Sequence, residues 1–457
     1  MLFSIIVPIY NTEKYLYETL DSVVNQSIDF EQNVQLILVD DGSTDKSNEI
    51  CNIYKRKYPK NIIYIKINNS GPSVTRNIGL ELVNESSEYI GFLDSDDKLS
   101  KDALFHIKEF FHKETKVRIA VLPIHYIGCK QGEHKLNYRF HKGNRVINIL
   151  DQYNYPHYYI GGSFFRRTLL DTHNFKFDEN VKFWEDALFM NKLILKETCY
   201  GVVSKSKYYY RKRAENNSLV DNSWFLKEKY SHMLKNSYNN LIELSKEYHN
   251  EILPYIQYLL IYHMKLYMYP RNREIILTVL NEQELREFVD SFVDILRQID
   301  NKYILEQNMN SYYIELMLEL KGVIKPEQHF MDKLVDKKVK ITNIKFYGTF
   351  LDISGHFINE LYAMKKEDRI YIKYLNKRIY GEKIFLDHKI NIWGYTVRDY
   401  KYAGFKMKLP SWVFKFSICI EGENFNVVLN EINFIKSFIK KSIEKIRNYK
   451  YKEDDAK

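Results

Sequence analysis

The sequence predicts an α/β protein in which a parallel β-sheet covered by helices is followed by a helical region and a small β-sandwich. In the first hundred of the 457 residues, apolar strand-like runs and amphipathic helices alternate four times. The runs do not alternate in polarity, which is typical of parallel strands buried on both faces. From about residue 223 the apolar spacing is helical, and from about residue 336 its period is two.

The N-terminal elements follow directly from this alternation. The predicted strands are "FSIIVPIY", "VQLILVDD", "NIIYIKIN" and "YIGFLD". The predicted helices between them are "NTEKYLYETLDSVVNQS", "GSTDKSNEICNIYKRKYP" and "GPSVTRNIGLELVNES". Asn11 or Thr12 can cap the first helix, and the second is expected to be capped near Ser43 and to stop at Pro59.

The next hundred residues are mixed in character. We expect "RIAVLPIHYIG" and "GVVSKSKYYYRKR" each to form one strand, "GGSFFRRTLLDTH" to hold a helix start, and "VKFWEDALFMNKLILKE" to form a helix. The expected division of the chain is an α/β domain over residues 1–222, a helical linker over 223–335, a β-sandwich over 336–430 and a basic amphipathic helix over 431–457.

The composition narrows the class of protein. The net charge of +9 is modest for this length and no basic cluster adjoins a known reader motif, so nucleic acid is not an expected partner. The four cysteines are far apart without metal-ligand spacing, which favours a reduced, cytoplasmic chain. The N-terminus reads as a strand rather than a signal peptide, and no apolar run is long enough to span a membrane.

Polar residues are expected to converge at one rim of the sheet. In an open parallel sheet, ligands bind outside the carboxyl ends of the strands. Polar or turn-forming groups follow all four predicted strands, and Arg76 lies one turn into the third helix. The groups after the strands are Pro8 and Tyr10, Asp41, Asn68, and the run Asp94-Ser95-Asp96-Asp97.

The acidic run after the fourth strand suggests a divalent cation. Mg²⁺ and Mn²⁺ prefer carboxylate oxygens, and Mg²⁺ is usually held by one or two carboxylates and the phosphates of a substrate. The pair Asp94 and Asp96 can present one carboxylate to the metal and the other to a ribose or a bridging water, and Arg76 could then contact a nucleotide or a pyrophosphate. The chain has neither GxxxxGK[ST] nor GxGxxG after the first strand, which argues against a P-loop NTPase and a dinucleotide-binding dehydrogenase. The alternative interpretation is a set of turn-forming aspartates.

Five motifs together resemble a known family. "SIIVPIYN", "ILVDDGSTD", "NSGPSVTRNIGL", "GFLDSDD" and "FWEDALF" are similar, in order and spacing, to those of the family 2 inverting glycosyltransferases with the GT-A fold, over about residues 1–215. The resemblance implies a nucleotide-sugar donor and Mn²⁺ or Mg²⁺. It also implies roles for individual residues. The implied donor-nucleotide contacts are Pro8, Tyr10, Asp41, Asn68, Arg76, Asp94 and Ser95, and the implied metal ligands are Asp96 and Asp94.

The same resemblance makes Asp186 the general base and Glu185 an acceptor contact. Transfer from a sugar C1 passes through an oxocarbenium-like state, and one carboxylate must take the proton of the attacking hydroxyl. The plainer interpretation is a pair of solvated acids at a helix N-terminus, where the helix dipole favours them. A non-catalytic sugar-nucleotide or polymer-binding scaffold on this fold is the alternative function.

Among family members, the chain most resembles bacterial wall teichoic acid and capsule glycosyltransferases. In these, the segment "YYYRKRAENNSLV" closes over the donor, and Lys212 and Arg213 match its pattern. Asn217 stands near the position of a metal-binding histidine in some relatives. The resemblance implies a UDP-sugar donor and a polyanionic glycan or teichoic acid acceptor. The basic helix over 431–457 suggests either contact with the inner face of the cell membrane or a solvated helix that packs its isoleucine stripe on the sandwich. The β module suggests polymer binding or a homo-oligomer.

Overall fold

The structure is a computed structural model that describes residues 2–173, 176–213, 222–323 and 339–433. The chain forms two compact units, residues 1–307 and 308–457. The strands and helices of the predicted α/β domain all lie in the first unit, together with helices up to Leu305.

The predicted alternation of strands and helices at the N-terminus is confirmed. Its elements are β1 (Phe3–Ile9), α1 (Glu13–Val24), a short α2 (Phe30–Asn33), β2 (Val34–Asp40), α3 (Ser47–Lys57), β3 (Ile62–Lys66), α4 (Pro72–Glu81) and β4 (Tyr89–Phe92). Strands β3, β2, β1 and β4 are neighbours in that order and all pair in parallel. Because these strands are parallel, their carboxyl ends meet at one rim.

The second half of this unit widens the sheet and adds a smaller one. Its elements are β5 (Lys98–Leu99), α5 (Ala103–Lys113), β6 (Ile119–Val121), β7 (Ile124–Gly128), β8 (Gly132–Glu133), a 3₁₀ helix (Lys135–Phe140), β9 (Arg145–Asn148), β10 (Ser163–Arg166), α6 (Arg167–His173), α7 (Glu185–Glu197), β11 (Cys199–Val202) and β12 (Tyr208–Lys212). The main sheet has the order β3-β2-β1-β4-β10-β6-β11-β9, and the second sheet β5-β12-β7-β8.

The expectation of single strands for "RIAVLPIHYIG" and "GVVSKSKYYYRKR" was wrong. Each segment contributes one strand to the main sheet and one to the second sheet. The first breaks at Pro123, which has no N–H for a strand ladder and whose carbonyl accepts a hydrogen bond from the backbone of Tyr208 (2.9 Å). Because β6 and β11 are parallel neighbours, and so are β7 and β12, both segments cross between the sheets side by side.

One strand of the main sheet was not predicted, and one helix begins later than predicted. "SFFR", expected only to precede a helix, forms β10 and pairs antiparallel with β4 and β6. Helix α3 begins at Ser47, and the Ser43 hydroxyl instead accepts a hydrogen bond from the backbone of Asn11 (3.0 Å). The carboxylate of Asp45 accepts a hydrogen bond from the N–H of Glu13, the first residue of α1 (2.9 Å). The carboxylate of Glu13 accepts one from the N–H of Lys46, directly before α3 (2.7 Å), so acidic side chains replace the expected caps.

The described residues of the first unit after β12 are mainly helical, as predicted. Its helices are Glu228–His232, a π-helix Met233–Tyr238, Asn239–His249, Pro254–Met264, a 3₁₀ helix Lys265–Met268, Pro270–Val279, Glu282–Arg297 and Asn301–Leu305. The apolar side of Glu282–Arg297 is buried, and Asn281 forms a capping box with Glu284. Within the described ranges, no helix is both long enough and apolar enough to cross a membrane.

The second unit contains the predicted β-sandwich module. After the helix Ser311–Leu320 come β13 (Lys340–Phe346), β14 (Phe350–His356), β15 (Arg369–Tyr374), β16 (Lys377–Tyr380), β17 (Glu382–Ile384), β18 (Lys389–Ile392), β19 (Tyr395–Asp399), β20 (Gly404–Pro410), β21 (Lys415–Gly422) and β22 (Phe425–Asn433). Two four-stranded antiparallel sheets, β13-β14-β20-β17 and β16-β15-β21-β22, enclose an apolar core. Residues 431–433 end β22, and the remainder of the predicted C-terminal helix lies outside the described residues.

Helix α4 lies unusually close to the sheet, and a glycine permits the contact. A Cβ atom on Gly79 would lie 2.4 Å from Cγ2 of Ile6, a residue of β1 whose side chain is fully buried. Such a distance is well inside van der Waals contact. Because residue 79 has no side chain, the helix that carries Arg76 can pack directly against β1.

We expect Gly79→Ala to lower the unfolding free energy of the first unit by about 1–3 kcal/mol, because the added methyl overpacks the contact with Ile6. Urea unfolding followed by circular dichroism measures this change. Glu81→Ala, at the exposed end of the same helix, is the control and should unfold close to wild type. Equal unfolding of the two variants would contradict this description of the packing.

Candidate active site

The predicted rim gathers most of the candidate residues at the ends of β1, β2 and β4. Asp41 directly follows β2, and both of its carboxylate oxygens accept backbone hydrogen bonds from the loop after β3. Oδ1 accepts from the N–H of Ser70 (2.7 Å) and Oδ2 from that of Gly71 (2.9 Å). Gly71 has a φ of +89°, a conformation that glycine adopts without strain. Asp41 therefore fixes the loop that leads into α4.

Arg76 joins two acidic parts of the rim. Its guanidinium lies 3.0 Å from Oε1 of Glu185 through Nη1 and 3.3 Å from Oδ1 of Asp94 through Nη2. It is 7% exposed, and the ring of Phe177 lies 5.4 Å from it. Burial disfavours the charged guanidinium, but the charges of Asp94 and Glu185 outweigh burial and raise the pKa of Arg76. The arginine therefore stays charged and holds the end of β4 to the start of α7.

Asp186 lies in the first turn of α7, beside Glu185. The preceding residue, Trp184, has a φ of +65°, an uncommon conformation for a bulky residue that turns the chain sharply into the helix. Burial raises the pKa of Asp186 to about 7, the charge of Glu185 adds to the rise, and Arg76 opposes it. A carboxylate with a pKa near neutrality is suited to accept a proton at physiological pH. The two acids are thus not a simple solvated pair.

The acidic run after β4 is paired with arginines at the end of β12. Nε and Nη2 of Arg213 lie 2.9 and 2.6 Å from Oδ2 of Asp96. Asp97 is almost fully buried, and its Oδ1 accepts from the N–H of Arg211 (2.7 Å). Burial raises the pKa of Asp96, Arg213 opposes the rise and Asp94 adds to it. Burial also raises the pKa of Asp97 well above its usual value, and the charges of Asp96 and Asp94 contribute.

The chemistry of this run fits a divalent cation. Among the described residues, no group of three or more His, Cys, Asp or Glu side chains is arranged to hold a metal ion. The side chains of Asp94 and Asp96 nevertheless stay 32% and 20% exposed, and both present hard oxygen donors at the rim. Burial raises the pKa of Asp96, the charge of Arg213 opposes the rise and that of Asp94 adds to it, so a further cation would favour the ionised carboxylate. The two carboxylates are suited to Mg²⁺ or Mn²⁺ if substrate phosphates supply further ligands.

The other predicted residues lie around this centre. Pro8 is in β1 opposite Val39, and Tyr10, just beyond the strand, is about half exposed. Asn68 is exposed in the loop after β3, and its carbonyl accepts from the hydroxyl of Ser70 (2.7 Å). Ser95 is buried, with its carbonyl accepting from Thr19 (2.9 Å). Lys212 lies over the ring of Tyr210, 5.1 Å from its centroid.

Sequence reasoning missed a cation near Glu185 that comes from the helical region. Lys229 is buried, its Nζ lies 2.8 Å from the hydroxyl of Ser223, and the ring of Trp224 lies 4.5 Å away. Burial lowers the pKa of Lys229 to about 8, and the charge of Glu185 acts against that fall. A single lysine in a helical segment carries no spacing signal, so only the structure can bring it next to α7.

Comparisons with known proteins agree with this fold. The glycosyl transferase family 2 model matches residues 4–173. The minor teichoic acid biosynthesis protein GgaA of Bacillus subtilis (strain 168) is 47% identical over 97% of this chain and 100% of its own length. The poly(ribitol-phosphate) beta-glucosyltransferase of Bacillus spizizenii (strain ATCC 23059 / NRRL B-14472 / W23) is 25% identical over 86% of this chain and 60% of its own length.

Solved structures share the architecture. The crystal structure of S. aureus TarS matches with a TM-score of 0.56 at 18% identity, over 95% of this chain and 77% of that chain. TarS 1–349 in complex with UDP-GlcNAc matches with a TM-score of 0.55 at 22% identity, over 70% of this chain and 88% of that chain. At these identities the likeness establishes the fold alone.

The chain belongs to glycosyl transferase family 2. The GT-A fold and the glycosyltransferase class predicted from the motifs are confirmed, and so is the likeness to teichoic acid enzymes. The family match ends before Glu185 and Asp186, so the roles of these two acids stay predictions.

Replacing Arg76 tests whether this residue holds the site together. We expect Arg76→Met to lower the unfolding free energy by about 3–5 kcal/mol, because it leaves the carboxylates of Glu185 and Asp94 without their shared cation. Arg297→Met, which breaks an exposed contact to Asp294 in the same unit, is the control and should change little. Thermal unfolding measured side by side gives the comparison, and equal midpoints would show that the buried pair does not stabilise the unit.

Proposed function

We propose that the chain transfers a sugar from a UDP-sugar to a hydroxyl of a teichoic acid polymer, with inversion at the sugar C1. The acceptor class is supported by the similarity to GgaA, a minor teichoic acid biosynthesis protein, and to the poly(ribitol-phosphate) beta-glucosyltransferase. The donor class is supported by the UDP-GlcNAc complex of TarS 1–349, which shares the fold. Such chemistry uses a cytoplasmic nucleotide sugar, so we propose that the enzyme works in the cytoplasm.

The observation that carries this proposal is the environment of Asp186. A general base needs a pKa close to the operating pH and a position within reach of the attacking hydroxyl. Burial and the neighbouring Glu185 bring the pKa of Asp186 to about 7. The ion pair of Glu185 with Arg76 (3.0 Å) holds the first turn of α7 at the rim. We propose that Glu185 orients the acceptor and that Asp186 takes its proton.

The remaining rim residues are assigned to the donor. We propose that Tyr10, Pro8 and Asp41 surround the nucleobase, with Asn68 and Ser95 beside them, because these residues follow or end neighbouring strands at one rim. Asp94 would accept from the ribose, while its partner Arg76 neutralises charge near the diphosphate. Lys212 and Arg213, at the end of β12, would approach the donor from the second sheet.

The transfer step balances in charge and atoms. The acceptor oxygen forms the new bond to C1 on the face opposite the leaving group, and its proton passes to a carboxylate oxygen of Asp186. The bond from C1 to the diphosphate breaks with its electron pair on the diphosphate, through an oxocarbenium-like state. Asp96 and Asp94 would hold a divalent cation, and its positive charge would stabilise the departing diphosphate.

Acceptor-dependent release of UDP tests the proposed reaction. A panel of UDP-sugars is incubated with teichoic acid polymer and Mn²⁺, and UDP is measured with and without the polymer. We expect turnover with at least one donor and a fall of at least about 100-fold in Asp186→Asn, since a general base contributes about 10²–10⁴. Asp290→Asn, at an exposed helical position, is the matched control. Full activity in Asp186→Asn would exclude Asp186 as the base.

The pH profile of kcat/KM provides a second prediction. Asp186 must be ionised to accept a proton, so with a pKa of about 7 activity rises with pH up to that value and then levels off. Below it we expect a fall of about tenfold per pH unit. A carboxyl with the ordinary aspartate pKa would give a flat profile above about pH 5. A flat profile between pH 5 and 8 would therefore contradict the assignment.

A further inference from the structure

The ion pair between Arg213 and Asp96 places a protein cation on the carboxylate assigned to metal binding. Two nitrogens of the Arg213 guanidinium, Nε and Nη2, both donate to the same oxygen, Oδ2 of Asp96 (2.9 and 2.6 Å). Both side chains are about one-fifth exposed, so the pair lies at the surface of the rim where a ligand can reach it. The contact is long-range: 117 residues separate its partners.

Arg211 anchors the end of β12 independently of Arg213. Its N–H donates to Oδ1 of Asp97 (2.7 Å) and its Nε to the carbonyl of Asp96 (2.9 Å). Its Nη2 forms an ion pair with Glu18 (3.0 Å). Strand β12 also pairs with β5 and β7 up to Lys212. The described partners of the Arg213 guanidinium are Asp96 and the ring of Tyr15, which lies 5.3 Å away. Arg213 can therefore leave Asp96 without loosening the strand.

Electrostatic repulsion disfavours the simultaneous binding of Arg213 and a divalent cation to the carboxylate of Asp96. The carboxylate of Asp96 lies beside the charged Asp94, in a partly buried place where a missing cation is costly. Arg213 supplies the positive charge that pairs with Asp96 when no ligand is present. A guanidinium that donates two N–H groups to Oδ2 of Asp96 and a divalent cation bound to the same carboxylate repel each other, and both are attracted by its single negative charge.

We propose that Arg213 is an internal competitor for the metal site: it holds Asp96 in the resting enzyme and exchanges it for the phosphate oxygens of an arriving nucleoside diphosphate. This inference rests on the proposed function, because the diphosphate is what offers Arg213 a replacement anion. Metal and nucleotide would then bind with positive coupling, each raising the affinity of the other. In the absence of nucleotide, the ion pair between Arg213 and Asp96 would weaken the binding of a metal ion.

The test measures Mn²⁺ binding without nucleotide by electron paramagnetic resonance of the free ion. Wild type is compared with Arg213→Gln, with Lys212→Gln and with the double variant Arg213→Gln, Asp96→Asn. Lys212→Gln removes the same charge one residue away, where the side chain lies over Tyr210 rather than on Asp96. We expect Arg213→Gln to bind Mn²⁺ at least about fivefold more tightly than wild type and Lys212→Gln, and the double variant to lose the gain.

The outcomes separate this inference from the proposed function. Equal Mn²⁺ affinity in wild type, Lys212→Gln and Arg213→Gln, with binding lost in the double variant Arg213→Gln, Asp96→Asn, would overturn only the competition. Absence of Mn²⁺ binding in every variant would overturn the competition and also the metal role assigned to Asp96. Arg213→Lys, which keeps the charge without the planar pair of N–H groups, should lie between wild type and Arg213→Gln. Circular dichroism melting curves confirm that each variant is folded before titration.

Discussion

Crowding of carboxyl groups at one rim of the sheet is the constraint on which the rest of this site depends. Five of them come from the end of β4 and the start of α7, namely Asp94, Asp96, Asp97, Glu185 and Asp186. Like charges in a partly buried site raise one another's pKa values or require cations. The protein uses both solutions: the guanidinium groups of Arg76 and Arg213 form ion pairs with Asp94, Glu185 and Asp96. In addition, Asp96, Asp97 and Asp186 have raised pKa values.

The arginines pair with only some of these carboxylates, so neighbouring acids differ in their ion pairs and in their pKa values. Arg76 is shared between Glu185 and Asp94, so these two carboxylates have a strong partner. Asp186 lies next to them and forms no ion pair with a described residue; its carboxylate accepts a hydrogen bond from the N–H of Ala187 (2.8 Å). Burial and the charge of Glu185 raise its pKa toward neutrality, and the charge of Arg76 only partly opposes the rise. Two adjacent acids on one helix thereby differ, one suited to binding and the other to proton transfer.

The sequence was sufficient for the parallel sheet, the helices between its strands and the convergence of polar residues at their carboxyl ends. That prediction rests on the apolar runs and on the rule that parallel strands have their carboxyl ends at one rim. The partners of these residues could not be predicted. Arg213 reaches Asp96 only because Pro123 interrupts one strand and two segments cross together into the second sheet. Nothing in local spacing encodes such a crossing.

Predictions also failed where a short segment had two equally good local interpretations. "SFFR" lies directly before a helix, and its apolar residues suit either a helix start or a strand. Its place between β4 and β6 depends on Gly91, where a Cβ atom would lie 2.5 Å from the ring of Phe164. Lys229 was likewise missed because its position near Glu185 depends on how the helical region packs against α7.

The central claim is that this acidic rim binds a metal-associated nucleoside diphosphate, and calorimetric titration with UDP tests it most directly. Wild type and Asp96→Ala are titrated with UDP in the presence and absence of Mn²⁺. The account predicts that wild type binds UDP at least about tenfold more tightly with Mn²⁺ and that Asp96→Ala loses this dependence. Equal UDP affinity in all four titrations, or no binding in any of them, would contradict it.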